Sequence, residues 1–181
     1  MRWRRAVAYA RICCAALASL MVFSVPRAAA QDPDRPPPVA DIIKLLALDP
    51  TTYAPAALAY EFHHLDWQSS QVFFQHGFLE HNGEFTVSGR ADDTPVSYGV
   101  GNRRIVVAGF AVLRTSLIHN VSDAVIERVL VGRYPDHRKL VRSLGWIERI
   151  SFAFYLSYRE SASHFRQWRR NQQLAQRLGY E

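Results

Sequence analysis

Residues 54–80 read APAALAYEFHHLDWQSSQVFFQHGFLE. Ala and Leu fill the start, and Pro55 sits where a first helical turn accepts it. Gly77 and His81-Asn82-Gly83 supply residues that tolerate left-handed backbone and stop a helix. The run therefore predicts one long helix, from Ala54 to about Glu80. No stretch of the chain alternates apolar and polar residues for long enough to predict a strand. The fold class expected is all-α, with three to four main helices in a bundle.

Upstream, Val39 to Leu48 has apolar residues at 39, 42, 43, 45, 46 and 48. That spacing predicts a short amphipathic helix, closed by Asp49-Pro50, with Thr51-Thr52-Tyr53 as a turn. Residues 31–38 contain four prolines and read as an extended linker. Residues 1–30 read as an export signal. Arg2, Arg4 and Arg5 lead, Ile12 to Val25 carries no charge, and Ala28-Ala29-Ala30 precedes Gln31. The uncharged run is shorter than the ~20 residues of a membrane span. Cleavage after Ala30 is favoured over an uncleaved anchor. Arg4-Arg5 fits a loose twin-arginine pattern, and an ordinary Arg-rich signal is the simpler reading.

Downstream, Gly83 to Thr94 reads as a polar loop, and Thr94-Pro95 as a helix start. That helix either continues to Leu130 or breaks near Asn120 and restarts at Ser122. Tyr134-Pro135-Asp136 opens the last helix, which meets no further proline before Leu178. Uninterrupted, it would span about 66 Å, so a bend is expected. Residues 39–181 are read as one helical domain.

The composition excludes a disordered chain, a collagen-like repeat and a disulfide-rich mini-protein: 49% of the 181 residues are hydrophobic and only two are Cys. Cys13 and Cys14 leave with the signal, and the mature chain then has no thiol. Of the 22 basic residues, five lie in the first 30, which leaves 17 against 16 acids. A nucleic-acid partner is thereby disfavoured, since phosphate binding needs a basic surface. Residues 31–100 hold 3 basic and 10 acidic residues, and residues 101–181 hold 14 and 6. The halves either complement each other or leave the basic one for anionic lipid.

Segments 54–79, 105–121 and 144–158 are apolar but carry charges, each costing roughly 2.5–3.5 kcal/mol at mid-bilayer. The sequence favours a soluble or peripherally bound exported domain over a polytopic one. On a helical wheel His63, Ser70, Gly77 and Glu80 fall within about 60° of Asp66. Three readings of this stripe stand. It is a polar face pairing with Arg103, Arg104 or Arg114. It is a divalent-metal site drawn from His63, Asp66, His76 and Glu80, where the pairs 63/66 and 76/80 are too far apart to share one ion and a second helix must complete either, through His119 or His137. Or it is an acid/base pair of Asp66 or Glu80 with His63. No phosphate loop, nucleophile elbow or His-Glu-x-x-His pattern supports catalysis, and the chain leans towards a non-enzyme. The basic tail, with Phe165, Arg166, Trp168, Arg169 and Arg170, is the expected contact with an envelope protein or an anionic lipid surface. Glu127-Arg128 and Glu148-Arg149 read as inter-helix ion pairs, and Asn120-Val121-Ser122 is a bare glycosylation match.

Asp66, Ser69, Ser70, Gly77, Glu80 and Asn82 together resemble a signature of small bacterial helical membrane proteins of unknown function. That signature has an Asp, a Ser/Thr pair, and Gly-x-x-Glu-x-Asn-Pro at a helix end. Gly83 stands here where that pattern has Pro. The likeness covers about 17 residues of 181. It implies membrane association and marks Asp66, Glu80 and Asn82, and it implies no activity. The expected function is an exported cell-envelope module of the periplasm or the inner-membrane periphery. The alternative is a periplasmic metal-binding protein or hydrolase using the stripe.

Overall fold

A computed structural model describes residues 39–180. The expected signal and Pro-rich linker lie outside the described residues. Four helices follow in order: α1 Val39–Leu48, α2 Pro50–Gln75, α3 Tyr98–Arg133 and α4 Arg138–Leu178. Short 3-10 turns occupy Gly83–Phe85 and Pro135–His137. Among the described residues there is no strand, and two isolated bridges, Glu80 to Asp93 and Thr86 to Pro95, pinch the α2–α3 loop. The fold is an all-α bundle.

Three boundaries differ from the sequence reading, each for a local reason. Thr51-Thr52-Tyr53 is not a turn but the first turn of α2, because Asp49 caps it. The Asp49 carboxylate accepts the Thr51 amide at 2.9 Å and its hydroxyl at 2.7 Å, and Pro50 takes the position that needs no amide hydrogen. α2 stops at Gln75 rather than Glu80, because Gly77 has φ +83°. Gly77 N donates to Phe74 O and Phe78 N to Phe73 O, both at 3.1 Å, and the Phe73 and Phe78 rings meet at 5.6 Å. That is a Schellman stop with its apolar clasp. Thr94-Pro95 does not start α3, since Thr94 O accepts Val87 N at 2.9 Å and Val96 N donates to Phe85 O at 2.8 Å. α3 and α4 each run unbroken, α4 for 41 residues.

The packing separates into two compact units, residues 39–54 with 117–151 and residues 55–116 with 152–180. α2, α3 and α4 contribute to both.

The first unit is organised around polar groups. Arg149 is buried and contacts three carboxylates: Asp123, Glu127 at 3.0 Å and Asp49 at 3.3 Å. His119 meets Glu148 at 2.9 Å, so Glu127, Glu148 and Arg149 each pair between helices. Asn120, 1% exposed, donates to Thr51 Oγ1 at 3.0 Å and Thr52 Oγ1 at 2.9 Å. Its amide is therefore sequestered, and the glycosylation reading fails. Gly145 lies where any Cβ would stand 2.7 Å from Glu127 Oε2, so the helix backbone approaches the cluster closely.

The second unit has two apolar clusters. Trp67, Phe85, Val96 and Ile105 form one, with Phe74 and Val100 against it. Ala59, Val112 and Leu156 form the other, with Ala56 and Phe152. Gly101 lies against the Trp67 indole, where a Cβ would collide with the ring. Trp67 Nε1 donates to Tyr98 O at 3.3 Å.

The buried face of α3 consists of Gly101, Ile105, Val112, Ser116, Asn120 and Ala124, largely small or polar residues. Most of the large apolar residues of α3 and α4 point the other way. On α3 Val107, Phe110 (66% exposed), Ile118, Val125 and Val129 are on the surface, and on α4 Leu144, Ile147, Phe154 (64%) and Tyr158 (71%).

Removing one partner of a buried ion cluster leaves uncompensated charge, which costs about 3–5 kcal/mol. Arg149→Ala should lower unfolding stability by about that amount. Adding Asp49→Asn, Asp123→Asn and Glu127→Gln to Arg149→Met should recover most of the loss. Chemical denaturation of the purified variants measures both, and an unaltered midpoint for Arg149→Ala would show that the cluster bears no strain of folding.

Candidate functional site

The α2 stripe faces α4. Asp66 Oδ2 accepts His164 Nδ1 at 2.8 Å. Asn171, 6% exposed, donates to Ser69 Oγ at 3.0 Å and Ser70 Oγ at 2.9 Å, and lies 3.4 Å from Asp66 Oδ1. Its amide has two hydrogens, so the serine bonds account for both and the Asp66 contact is the long one. Gln167 Nε2 donates to Asn171 Oδ1 at 2.9 Å. Ser69 and Ser70 each give their own hydrogen to the Asp66 carbonyl, at 2.9 and 3.0 Å. Each hydroxyl therefore donates once within α2 and accepts once from α4. The directions agree throughout, which is the condition for a buried polar network to stabilise.

His63 donates from Nδ1 to Ala59 O at 2.7 Å, and its ring lies over that of His164 with centroids 3.6 Å apart. The expected partners from the basic half are thus replaced. His164, Gln167 and Asn171 take the places given to Arg103, Arg104 or Arg114. Arg104 instead bonds the Glu84 carbonyl.

Glu80 lies beyond the end of α2, in the loop. Its Oε1 accepts Asn82 N at 2.7 Å, and Asn82 Oδ1 accepts Glu84 N at 3.0 Å, capping the 3-10 turn. Burial pushes the Glu80 carboxyl above its usual range. The Asn82 amide opposes this, and the Asp66 charge adds to it.

These residues frame a groove of about 550 Å³, lined among others by His63, Asp66, Ser70, Glu80, Asn82 and Asn171. Arg166 and Arg170 also line it, as do the apolar Phe78, Leu79 and Leu174. Of the tail residues, Arg166, Arg169 and Arg170 are exposed. Trp168 is 5% exposed and belongs to the interior, so it offers no surface contact. Phe165 packs edge-on to Phe62 at 5.2 Å, under Arg169 at 5.9 Å.

Neither metal pair is completed into a site among the described residues. His76 donates to Val72 O at 2.7 Å and stacks on Tyr180 at 3.7 Å, and it does not line the groove. His119 is occupied with Glu148. Among the described residues no group of three or more His, Cys, Asp or Glu is placed to hold a metal ion. For the acid/base reading, the imidazole hydrogen-bonded to Asp66 is that of His164 rather than His63. Among the described residues no hydroxyl is hydrogen-bonded to either ring.

His164 and Asn171 escaped the sequence reading although they are seven residues apart, hence on one helix face. The tail was read as a surface patch from its arginines, and that hid its inward stripe of Ser161, His164, Trp168 and Asn171.

Compared with protein-family models, curated proteins and solved structures, the chain has no match.

The raised Glu80 carboxyl fixes a sign. Its folded value lies above the usual 4.5, so the fold holds that proton more tightly than the unfolded chain does. The resulting stabilisation is complete below pH 4.5 and is lost as pH rises through the folded value. Glu80→Gln keeps an acceptor for Asn82 N but cannot ionise. The stability difference between variant and parent should therefore move in the variant's favour from about pH 4 to about pH 7.5. Thermal unfolding across that range checks it, and movement towards the parent would reverse the sign.

Proposed function

We propose that this chain is a non-enzymatic, membrane-embedded helical protein of the cell envelope, whose second unit offers a polar groove to a ligand or partner. One observation carries the reading: large apolar side chains cover much of the outside of α3 and α4, while Arg149, Asn120, Asp66 and Asn171 are turned inward and bond to side chains of neighbouring helices.

The dimensions support it. Exposed large apolar residues on α3 run from Val106 to Leu130, about 36 Å at 1.5 Å per residue. On α4 they run from Leu140 to Tyr158, about 27 Å. A hydrocarbon core is about 30 Å thick. Arg103 and Arg104 precede the α3 stretch and Arg133 follows it. Arg138 and Lys139 precede the α4 stretch and Arg159 follows it. α3 is the one helix among the described residues that is long and apolar enough to cross a membrane. A core helix of a water-soluble protein passes that test too, but such a helix is mostly buried. Only 22% of the apolar window of α3 is buried within the protein. Small residues on the buried faces fit helix packing in lipid, where backbones approach closely and polar side chains bond across helices.

Between Val106 and Leu130, Arg114 is the one exposed charged side chain. Near mid-bilayer it costs roughly 2.5–3.5 kcal/mol on insertion scales, which its long stem reduces by reaching towards the interface.

Membranes from cells making the full chain, washed with alkaline carbonate, should retain it, and detergent should release it. Arg114→Leu should raise the thermal stability of the extracted protein, since the substitution extends an apolar face already in lipid. A chain released by carbonate as a detergent-free monomer, and aggregated by Arg114→Leu, would contradict the reading.

A further inference from the structure

We infer that this chain pairs with a second copy of itself in the membrane, through a two-fold contact in which Arg114 of each copy meets Glu61 of the other. This deepens the membrane reading and rests on it.

Two charges are left unanswered by the bundle. Glu61 on α2 and Arg114 on α3 are both exposed. Among the described residues neither joins an ion pair or a side-chain hydrogen bond.

Their depth follows from the contacts beside them. Ala59, Val112 and Leu156 pack together where α2, α3 and α4 meet. Trp67 packs with Ile105, so α2 and α3 run antiparallel. Glu61 and Arg114 each follow the three-helix contact by two residues, and so lie about 3 Å from its level in opposite directions. They are thus about 6 Å apart in depth, the rise from a residue i to i+4 that ion pairs on helices bridge. Side chains lean towards the N-terminus of their own helix. In antiparallel helices that tilts Glu61 and Arg114 towards each other's depth. Both levels fall inside the apolar stretch that begins at Val106, Glu61 about 6 Å and Arg114 about 12 Å past its start.

The same two-residue offset fixes their direction. At about 100° per residue, each lies about 160° around its helix from the three-helix contact. They point outwards, on the two flanks of the α2–α3 edge, and do not meet within one chain.

A charge in hydrocarbon is costly, and such charges pair with one another. An anionic lipid would answer Arg114 and repel Glu61. A foreign helix bearing one carboxylate would leave Glu61 alone. A symmetric contact of α3 with α3 would set Arg114 against itself. A two-fold axis along the helices keeps every residue at its own depth and matches one patch with its copy. It lays α2 of one copy beside α3 of the other and forms the Glu61–Arg114 pair twice. Ala57, exposed and one turn before Glu61, is small enough for a neighbouring helix to come close.

The test uses the full chain in phosphatidylcholine vesicles, labelled at the C-terminus with a donor or an acceptor fluorophore. Association is read by energy transfer as the protein-to-lipid ratio rises. The parent should associate. Glu61→Gln alone and Arg114→Gln alone should each need at least about a tenfold higher ratio, the size of one lost charge-assisted hydrogen bond. Donor-labelled Glu61→Gln mixed with acceptor-labelled Arg114→Gln should associate more tightly than either variant with itself, because the mixed pair keeps one Glu61–Arg114 contact. Circular dichroism should show unchanged helical content in both variants. A parent that stays monomeric would overturn the pairing, as would single variants that associate like the parent, or a mixture no tighter than the variants apart. Carbonate extraction tests membrane embedding separately: a retained but monomeric chain loses only the pairing. In excess detergent the copies are diluted apart, so the stability gain expected for Arg114→Leu is that of the single chain.

Discussion

Arg149 carries a fixed charge on a helix whose surroundings shield it from water, and everything nearby answers that charge. Asp49 comes from the junction of α1 and α2, and Asp123 and Glu127 from α3. A guanidinium cannot neutralise itself by losing its proton, so burying it demands carboxylates in fixed places. Its cluster sets which face of α3 meets α4 and ties both to the start of α2. Gly145 lets the backbone come close enough for the contact. In the second unit neutral and ionisable groups follow the same rule: Asp66, His164, Asn171, Ser69 and Ser70 close a network between α2 and α4.

Inward-facing polar groups and outward-facing apolar ones have one consistent cause if the solvent is hydrocarbon. Lipid gives no hydrophobic reward for packing Leu against Leu, so helix association rests on close approach and on hydrogen bonds. Gly101 against Trp67, Ser116 and Asn120 on the same α3 face, and the Thr51-Thr52 hydroxyls against Asn120 are contacts of that kind.

The all-α class was legible because Pro and Gly punctuate long apolar runs and no alternation competes with them. The boundaries that shifted did so where one residue serves two roles. Asp49 closes α1 and caps α2, and Thr94-Pro95, a helix start on paper, is spent on pairing with the loop. The α2 stripe was legible as a face, since Asp66 and Ser70 obey helical spacing. Its partners were not, because His164 and Asn171 lie about a hundred residues away and only tertiary packing joins them. Signature positions that invite a chemical reading turn out to have architectural work: Gly77 ends α2, Glu80 holds the Asn82 amide, and Asn82 caps the next turn. What the architecture leaves unanswered is the charge of Glu61 and Arg114 on the outer faces of α2 and α3.

Spin-label accessibility in a bilayer addresses the solvent question most directly. Single labels would be placed at Val107, Phe110, Ile118 and Phe154 on the apolar faces, and at Ala91 in the loop, with Cys13 and Cys14 replaced by Ser. The account predicts that the four helix positions collide with dissolved oxygen and are shielded from a water-soluble nickel complex, while Ala91 behaves in the opposite way. Nickel access at Phe110 and Phe154 equal to that at Ala91 would contradict it and place those faces in water.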